Sequence, residues 1–80
     1  MNYRVTLTKT AVKERSRLVP PNREWVDHVL LELGKDPRPS GVKRLSGSIQ
    51  DWRVRVGDYR ILYEVDDEAQ IITVWREAYR

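Results

Sequence analysis

The sequence predicts an α+β fold: an N-terminal strand, a two-helix hairpin, and an antiparallel β-meander with the helices packed on one of its faces. Three observations lead there. Apolar and polar residues alternate with period two over residues 3–7 and again from Trp52 onward. Apolar residues recur every three to four positions between Ala11 and Leu33, and a turn-rich stretch over 35–41 separates the two regimes. At 80 residues, 40% hydrophobic and 34% charged, the chain has the size and composition of one small globular domain, taken as residues 1–80.

The first strand is expected over residues 3–7, where Val5 and Leu7 share a face and Arg4 and Thr6 take the other. Thr8 or Thr10 then stands where a hydroxyl can accept from the free N–H groups of a first helical turn. The apolar positions Ala11, Val12, Leu18 and Val19, with the stem of Arg15, carry that helix until Pro20 and Pro21 end it. Asn22 is the expected cap of a second helix, in which Trp25, Val26, Val29, Leu30 and Leu33 form the apolar stripe and Gly34 is placed to terminate it.

Period two returns after the turn-rich stretch. Trp52, Val54 and Val56 alternate with Arg53 and Arg55, then Gly57 and Asp58 make a two-residue turn into Tyr59, Ile61, Tyr63 and Val65. That turn pairs Val56 with Tyr59, Arg55 with Arg60, Val54 with Ile61, Arg53 with Leu62 and Trp52 with Tyr63. Residues 66–69 make a second turn and 70–75 the last strand, with 76–80 as a tail. Trp25, Trp52 and Trp75 are read as core anchors, the face of Trp75 depending on the register of that second turn.

Composition removes several chemistries. The chain has no cysteine, which excludes thiol catalysis, disulfide frameworks and zinc ribbons. Its one histidine, His28, lies beside Asp27 on the polar side of the second helix and is read as structural or solvated; no His/Asp/Glu spacing resembles a zinc or calcium site. There is no glycine-rich phosphate loop and no Gly-x-Ser-x-Gly turn. Neither a metal nor a cofactor is expected. The longest run without a charged residue, residues 69–75, falls far short of the roughly 20 needed to cross a bilayer, and residues 1–5 lack the apolar run of a secretion signal. The expected location is the cytoplasm, with no membrane partner.

The net charge of +3 is unevenly placed. Residues 38–60 carry a local excess of +4, and residues 61–77 a local −4. Within the basic segment the hairpin register puts Arg53, Arg55 and Arg60 on one face, opposite the apolar set. Like charges directly opposed on neighbouring strands cost a few tenths to about 1 kcal/mol, so the pairing of Arg55 with Arg60 points to an anion that visits. The alternative is an ordinary polar face in which Asp51, Glu64 or Asp58 satisfies these arginines. Guanidinium forks match phosphate oxygens bidentately and keep their charge at any working pH, which makes nucleic acid the natural ligand. Lys43 and Arg44 would extend the track along backbone phosphates.

Cutting RNA without metal requires a base for the 2′-hydroxyl, charge stabilisation for the phosphorane, and an acid for the 5′-oxygen. Arginine supplies the second and does not act as a base. Tyr79 is the candidate proton relay, and Glu77 a weaker one.

Lys43, Arg44, Leu45, Ser46 and Gly47, followed by residues 52–67 with Trp52-Arg53-Val54-Arg55-Val56-Gly57-Asp58-Tyr59-Arg60-Ile61-Leu62-Tyr63, resemble the RelE/ParE superfamily of toxins from toxin–antitoxin pairs. The similarity extends through Pro37, Arg38 and Pro39 and the two helices to the first strand, and the RelE-like fold it implies agrees with the layout above. RelE-like members are ribosome-dependent endoribonucleases that cut messenger RNA. The resemblance maps their basic strand residues to Arg53 and Arg55, the arginine of Gly-x-Tyr-Arg to Arg60, and the closing Arg-x-x-Tyr to Arg76 and Tyr79. It implies as partners messenger RNA on the ribosome and a cognate antitoxin, expected to be acidic. Arg53 and Arg55 stand where the best-known ribonuclease members carry lysine. Two further readings go with the family: a ParE-like inhibitor of DNA gyrase without catalysis, and an inactive relative that only binds its antitoxin.

Overall fold

The computed structural model describes residues 2–79. Elements follow the order β1 (Arg4–Leu7), α1 (Lys9–Ser16), α2 (Asn22–Lys35), β2 (Lys43–Arg44), β3 (Asp51–Val56), β4 (Tyr59–Asp66) and β5 (Ile71–Tyr79). They build one five-stranded sheet in the order β1-β5-β4-β3-β2. β1 runs parallel to β5, and all other pairs are antiparallel. Among the described residues no helix is long and apolar enough to cross a membrane.

The core follows from alternation. Ile61, Tyr63 and Val65 of β4 and Ile72 and Val74 of β5 are buried with Ala11, Leu18, Val26, Leu30 and Leu33 of the helical layer. Burying side chains of this size stabilises by about 1.5–3 kcal/mol each, which fixes the sheet face that the helices cover. Arg15 of α1 grips Asp27 of α2 with both ends of its fork, Nε to Oδ1 at 2.7 Å and Nη2 to Oδ2 at 2.6 Å, tying the helices to each other. That pairing holds the Asp27 carboxyl below its ordinary range.

Several local expectations change. Thr8 is the cap of α1, its hydroxyl accepting from the Ala11 N–H, but α1 stops at Ser16. Leu18 still reaches the core through the turn that follows, while Val19 is 64% exposed. Asn22 is the first residue of α2 rather than its cap, a position taken by Pro21. Trp25 is not a core anchor; it is 54% exposed, because the buried stripe is carried by Val26, Leu30 and Leu33 and Trp25 sits to one side of it. Gly34 does not end α2, which runs on to Lys35. Its carbonyl accepts the Tyr3 N–H at 2.7 Å, and a Cβ there would stand 3.3 Å from the Tyr3 carbonyl oxygen, so the residue allows β1 and α2 to approach.

The connection over residues 36–42 is fastened to the sheet. The Tyr63 hydroxyl, fully buried, donates to the Pro37 carbonyl at 2.7 Å, and burial pushes that hydroxyl up to about 12. Arg38 reaches Asp67 at 2.6 Å and stacks over the Trp52 ring, 5.4 Å from its centroid; Tyr3 donates to the same Asp67.

Leu33→Ala is expected to lower unfolding free energy by about 2–5 kcal/mol, and Tyr63→Phe by about 1 kcal/mol through the lost bond to Pro37. Urea denaturation monitored by tryptophan fluorescence checks both.

Candidate nucleic-acid interface

The hairpin register is the one expected from the sequence: Arg55 faces Arg60, Arg53 faces Leu62 and Trp52 faces Tyr63. Side chains alternate across a strand, so with Tyr63 and Ile61 committed to the core, Arg53, Arg55 and Arg60 leave together from the uncovered face. Arg53 and Arg60 are half-buried and Arg55 is exposed. Their guanidiniums are not engaged among the described residues, where the ion pairs are Arg15–Asp27, Lys35–Glu32, Arg38–Asp67 and Arg76–Glu14. Asp51, on the same face, instead accepts from the Ser48 hydroxyl at 2.8 Å, and Glu64, its partner across the hairpin, bonds none of the arginines. The polar-face alternative, with the arginines satisfied from within, is not what these residues do.

β2, a two-residue strand that periodicity does not predict, adds to this face. Lys43 pairs with Arg53 and Arg44 with Trp52. Alternation therefore brings Lys43 beside Arg53 and turns Arg44 toward the other face. A cleft of about 230 Å³ lies here, lined by Ser40, Gly41, Lys43, Arg53, Val54 and Arg55. A larger cleft, about 570 Å³, lies between β1 and α2, with Val5, Leu7, Leu30 and Leu31 among its lining residues; it is apolar and contains none of the predicted site residues.

The end of β5 is where structure and sequence part most. Residues 76–79 are strand, not tail; Arg80 lies outside the described residues. Leu62 pairs with Arg76 and Tyr63 with Val74, so Trp75 is an extra residue, a bulge that reverses the phase beyond it. In an unbroken ladder Glu77 would stand opposite Arg60. With the bulge, Ala78 stands there, Arg76 moves to the arginine side, and Glu77 faces the core opposite Ile61. Arg76 does not project with the other arginines: its Nε holds the Glu14 carboxylate at 2.9 Å, at the edge of β5. Tyr79 pairs with Tyr59 on the face away from Arg60, packs edge-on against that ring with centroids 5.3 Å apart, and is 67% exposed. Of the predicted site, the structure thus brings together Lys43, Arg53, Arg55 and Arg60, and holds Arg44, Arg76 and Tyr79 apart from them.

Glu77 is buried, 3% exposed, and neither carboxyl oxygen has a hydrogen-bond partner. Desolvation pushes it up to about 7, against the pull of Arg15 and with help from the negative charges of Asp27 and Glu14. Sequence placed it in a tail; only the bulge gives it this environment. His28 is exposed on α2, as expected, and among the described residues no three His, Cys, Asp or Glu side chains are grouped to hold a metal.

Known proteins share this architecture. The family model described as ParE toxin of type II toxin–antitoxin system, parDE, matches residues 5–77. A protein of Methanocaldococcus jannaschii named "Putative toxin RelE1" is 31% identical over 77 residues, covering 92% of this chain and 86% of its own length. The archaeal RelE–RelB complex from Pyrococcus horikoshii OT3 contains a chain that is 28% identical and superposes with a TM-score of 0.89 over 100% of this chain and 97% of that one. The toxin–antitoxin complex RelBE2 of Mycobacterium tuberculosis gives 28% identity and a TM-score of 0.86, with both chains fully covered.

Relieving the opposed pair is expected to stabilise the fold. Arg55→Thr should raise unfolding free energy by a few tenths to about 1 kcal/mol at low ionic strength, with the gain shrinking in 1 M salt as screening takes over; urea titrations at the two salt concentrations measure it.

Proposed function

We propose that this chain, which belongs to the RelE/ParE superfamily of type II toxin–antitoxin toxins and lies on its RelE-like side, is a ribosome-dependent endoribonuclease of messenger RNA that inhibits translation. The observation that carries the reading is the set of free cations on one sheet face, Arg53, Arg55 and Arg60 with Lys43 beside them. Fixed in number and charge, they suit a phosphodiester whose non-bridging oxygens gain negative charge as the neighbouring 2′-oxygen attacks phosphorus and the 5′-oxygen leaves. The 2′-hydroxyl gives up a proton and the departing oxygen takes one, leaving a cyclic phosphate and a 5′-hydroxyl.

Arginine cannot accept the first proton, so the protein's share of the acceleration lies in orientation and charge stabilisation. Arg76 and Tyr79 join only if the end of β5 moves, since Glu14 and Tyr59 hold them where they are. A cognate antitoxin, the kind of partner present in the RelE–RelB complexes of relatives, would be acidic and cover the same face. A second reading, a gyrase inhibitor that cuts nothing, is favoured by arginine at all three hairpin positions, Arg53, Arg55 and Arg60, none of which can take up a proton.

In a purified translation system the protein is expected to cut ribosome-bound messenger RNA, with Arg60→Ala lowering the rate about 10²–10³-fold, the usual cost of removing one preorganised charge stabiliser. Intact transcripts together with inhibited supercoiling by gyrase would overturn the ribonuclease reading in favour of the second. For single-stranded RNA, Lys43→Ala should reduce the slope of log affinity against log salt by about 0.7, measured by fluorescence anisotropy.

A further inference from the structure

We propose that Glu77 is a positioning residue, a latch that holds residues 76–79 against α1 while its side chain is the neutral acid and lets them go when it ionises. The latch acts on the strand end that carries Arg76 and Tyr79, and it stands whether or not the protein cuts RNA.

Arg15 apart, the surroundings of Glu77 favour an uncharged carboxyl. On the sheet its register partner is Ile61. From α1 come Arg15 and Glu14, and from α2 comes Asp27. Arg15 is the one cation among them, and it already gives Nε and Nη2 to the two oxygens of Asp27. Glu14 is likewise committed, accepting the Glu77 backbone N–H at 2.7 Å and the Arg76 Nε at 2.9 Å. A carboxylate at this position is a buried charge with no direct counterion, beside two other carboxylates. The acid form forgoes only hydrogen bonds.

The topology decides which part yields. β1 ends at Leu7, paired with Val74, so beyond Val74 the outer edge of β5 has no strand beside it and α1 closes it through Glu14. On its other edge the ladder with β4 is already interrupted at Trp75. Residues 76–79 can therefore separate from residues 59–62 of β4 and hydrate Glu77 without opening the β1–β5 pairing, in the manner of local opening. Opening frees Arg76 from Glu14 and Tyr79 from Tyr59.

The sign follows from linkage. The closed state holds Glu77 at about 7 and the open state returns it to its ordinary 4.5, so the stabilisation of the closed form is complete below about pH 4.5. It is lost as pH rises toward 7, and levels off above. In that window the opening constant gains up to about tenfold per pH unit.

The experiment is amide hydrogen exchange by NMR on the intact protein between pH 5 and 8, corrected for intrinsic rates, for wild type and Glu77→Gln. The expected result is an opening constant for residues 76–79 that climbs toward tenfold per unit up to about pH 7 in wild type, stays flat in Glu77→Gln, and leaves the Val65 and Ile72 amides unaffected. Equal profiles in the two proteins, or a climb shared by the core amides, would overturn the latch. Should Glu77→Gln not fold, wild type decides: a climb in exchange of residues 76–79 that follows the titration of the Glu77 carboxyl carbon upholds the latch, and exchange that stays flat across that titration, or a carboxyl midpoint near 4.5, overturns it.

Discussion

The two faces of the β3–β4 hairpin are one decision. Adjacent side chains on a strand leave in opposite directions, so committing Ile61, Tyr63 and Val65 to the helical layer also commits Arg60 to the other side, and the register across the turn then brings Arg53 and Arg55 there. A slip of one residue in β3 would drive the guanidiniums of Arg53 and Arg55 into the core. Burial of large apolar side chains, at about 1.5–3 kcal/mol each, outweighs the mutual repulsion of Arg55 and Arg60, at most about 1 kcal/mol. The charge cluster is thus held in place by interactions made on the other side of the sheet.

This explains how much was legible from residues alone. The hairpin register came through whole because a two-residue turn and strict alternation leave one solution. The helical layer was legible in its spacing and less so at its ends: Pro20 and Pro21 marked a stop, but α1 yields earlier, and Gly34 serves an approach between α2 and β1 instead of a cap. Trp25 misled because a stripe counted at three and four admits neighbours on either side of the face that packs. The pairing of Lys43 with Arg53 had no local signal, since a two-residue edge strand is specified by its partner alone.

The last strand was the least legible, for a definite reason. A bulge has no sequence signature here, yet it determines that Arg76 lies on the arginine side and that Glu77 does not sit opposite Arg60. One extra residue keeps a carboxylate away from a face that would otherwise be partly neutralised. It also leaves that carboxylate buried without a partner. Polarity read along the chain assigns Arg76 and Glu77 to solvent; only three-dimensional context reverses the second. The roles of Arg76 and Tyr79 were suggested by family likeness, and their observed positions depend on contacts with Glu14 and Tyr59 that no motif encodes.

The parallel pairing of β1 with β5 constrains how the molecule comes into being. The Thr6 hydroxyl bonds the Ile72 carbonyl across 66 positions of sequence, and the neighbouring backbone bonds join the same two segments. Contacts so distant along the chain are slow to form, because the intervening polypeptide must first be ordered. During synthesis β1 and both helices emerge with one flank of their apolar surface uncovered until the final strand is available to fill the middle of the sheet. A growing chain therefore cannot assemble its finished surface ahead of translation of its own closing segment.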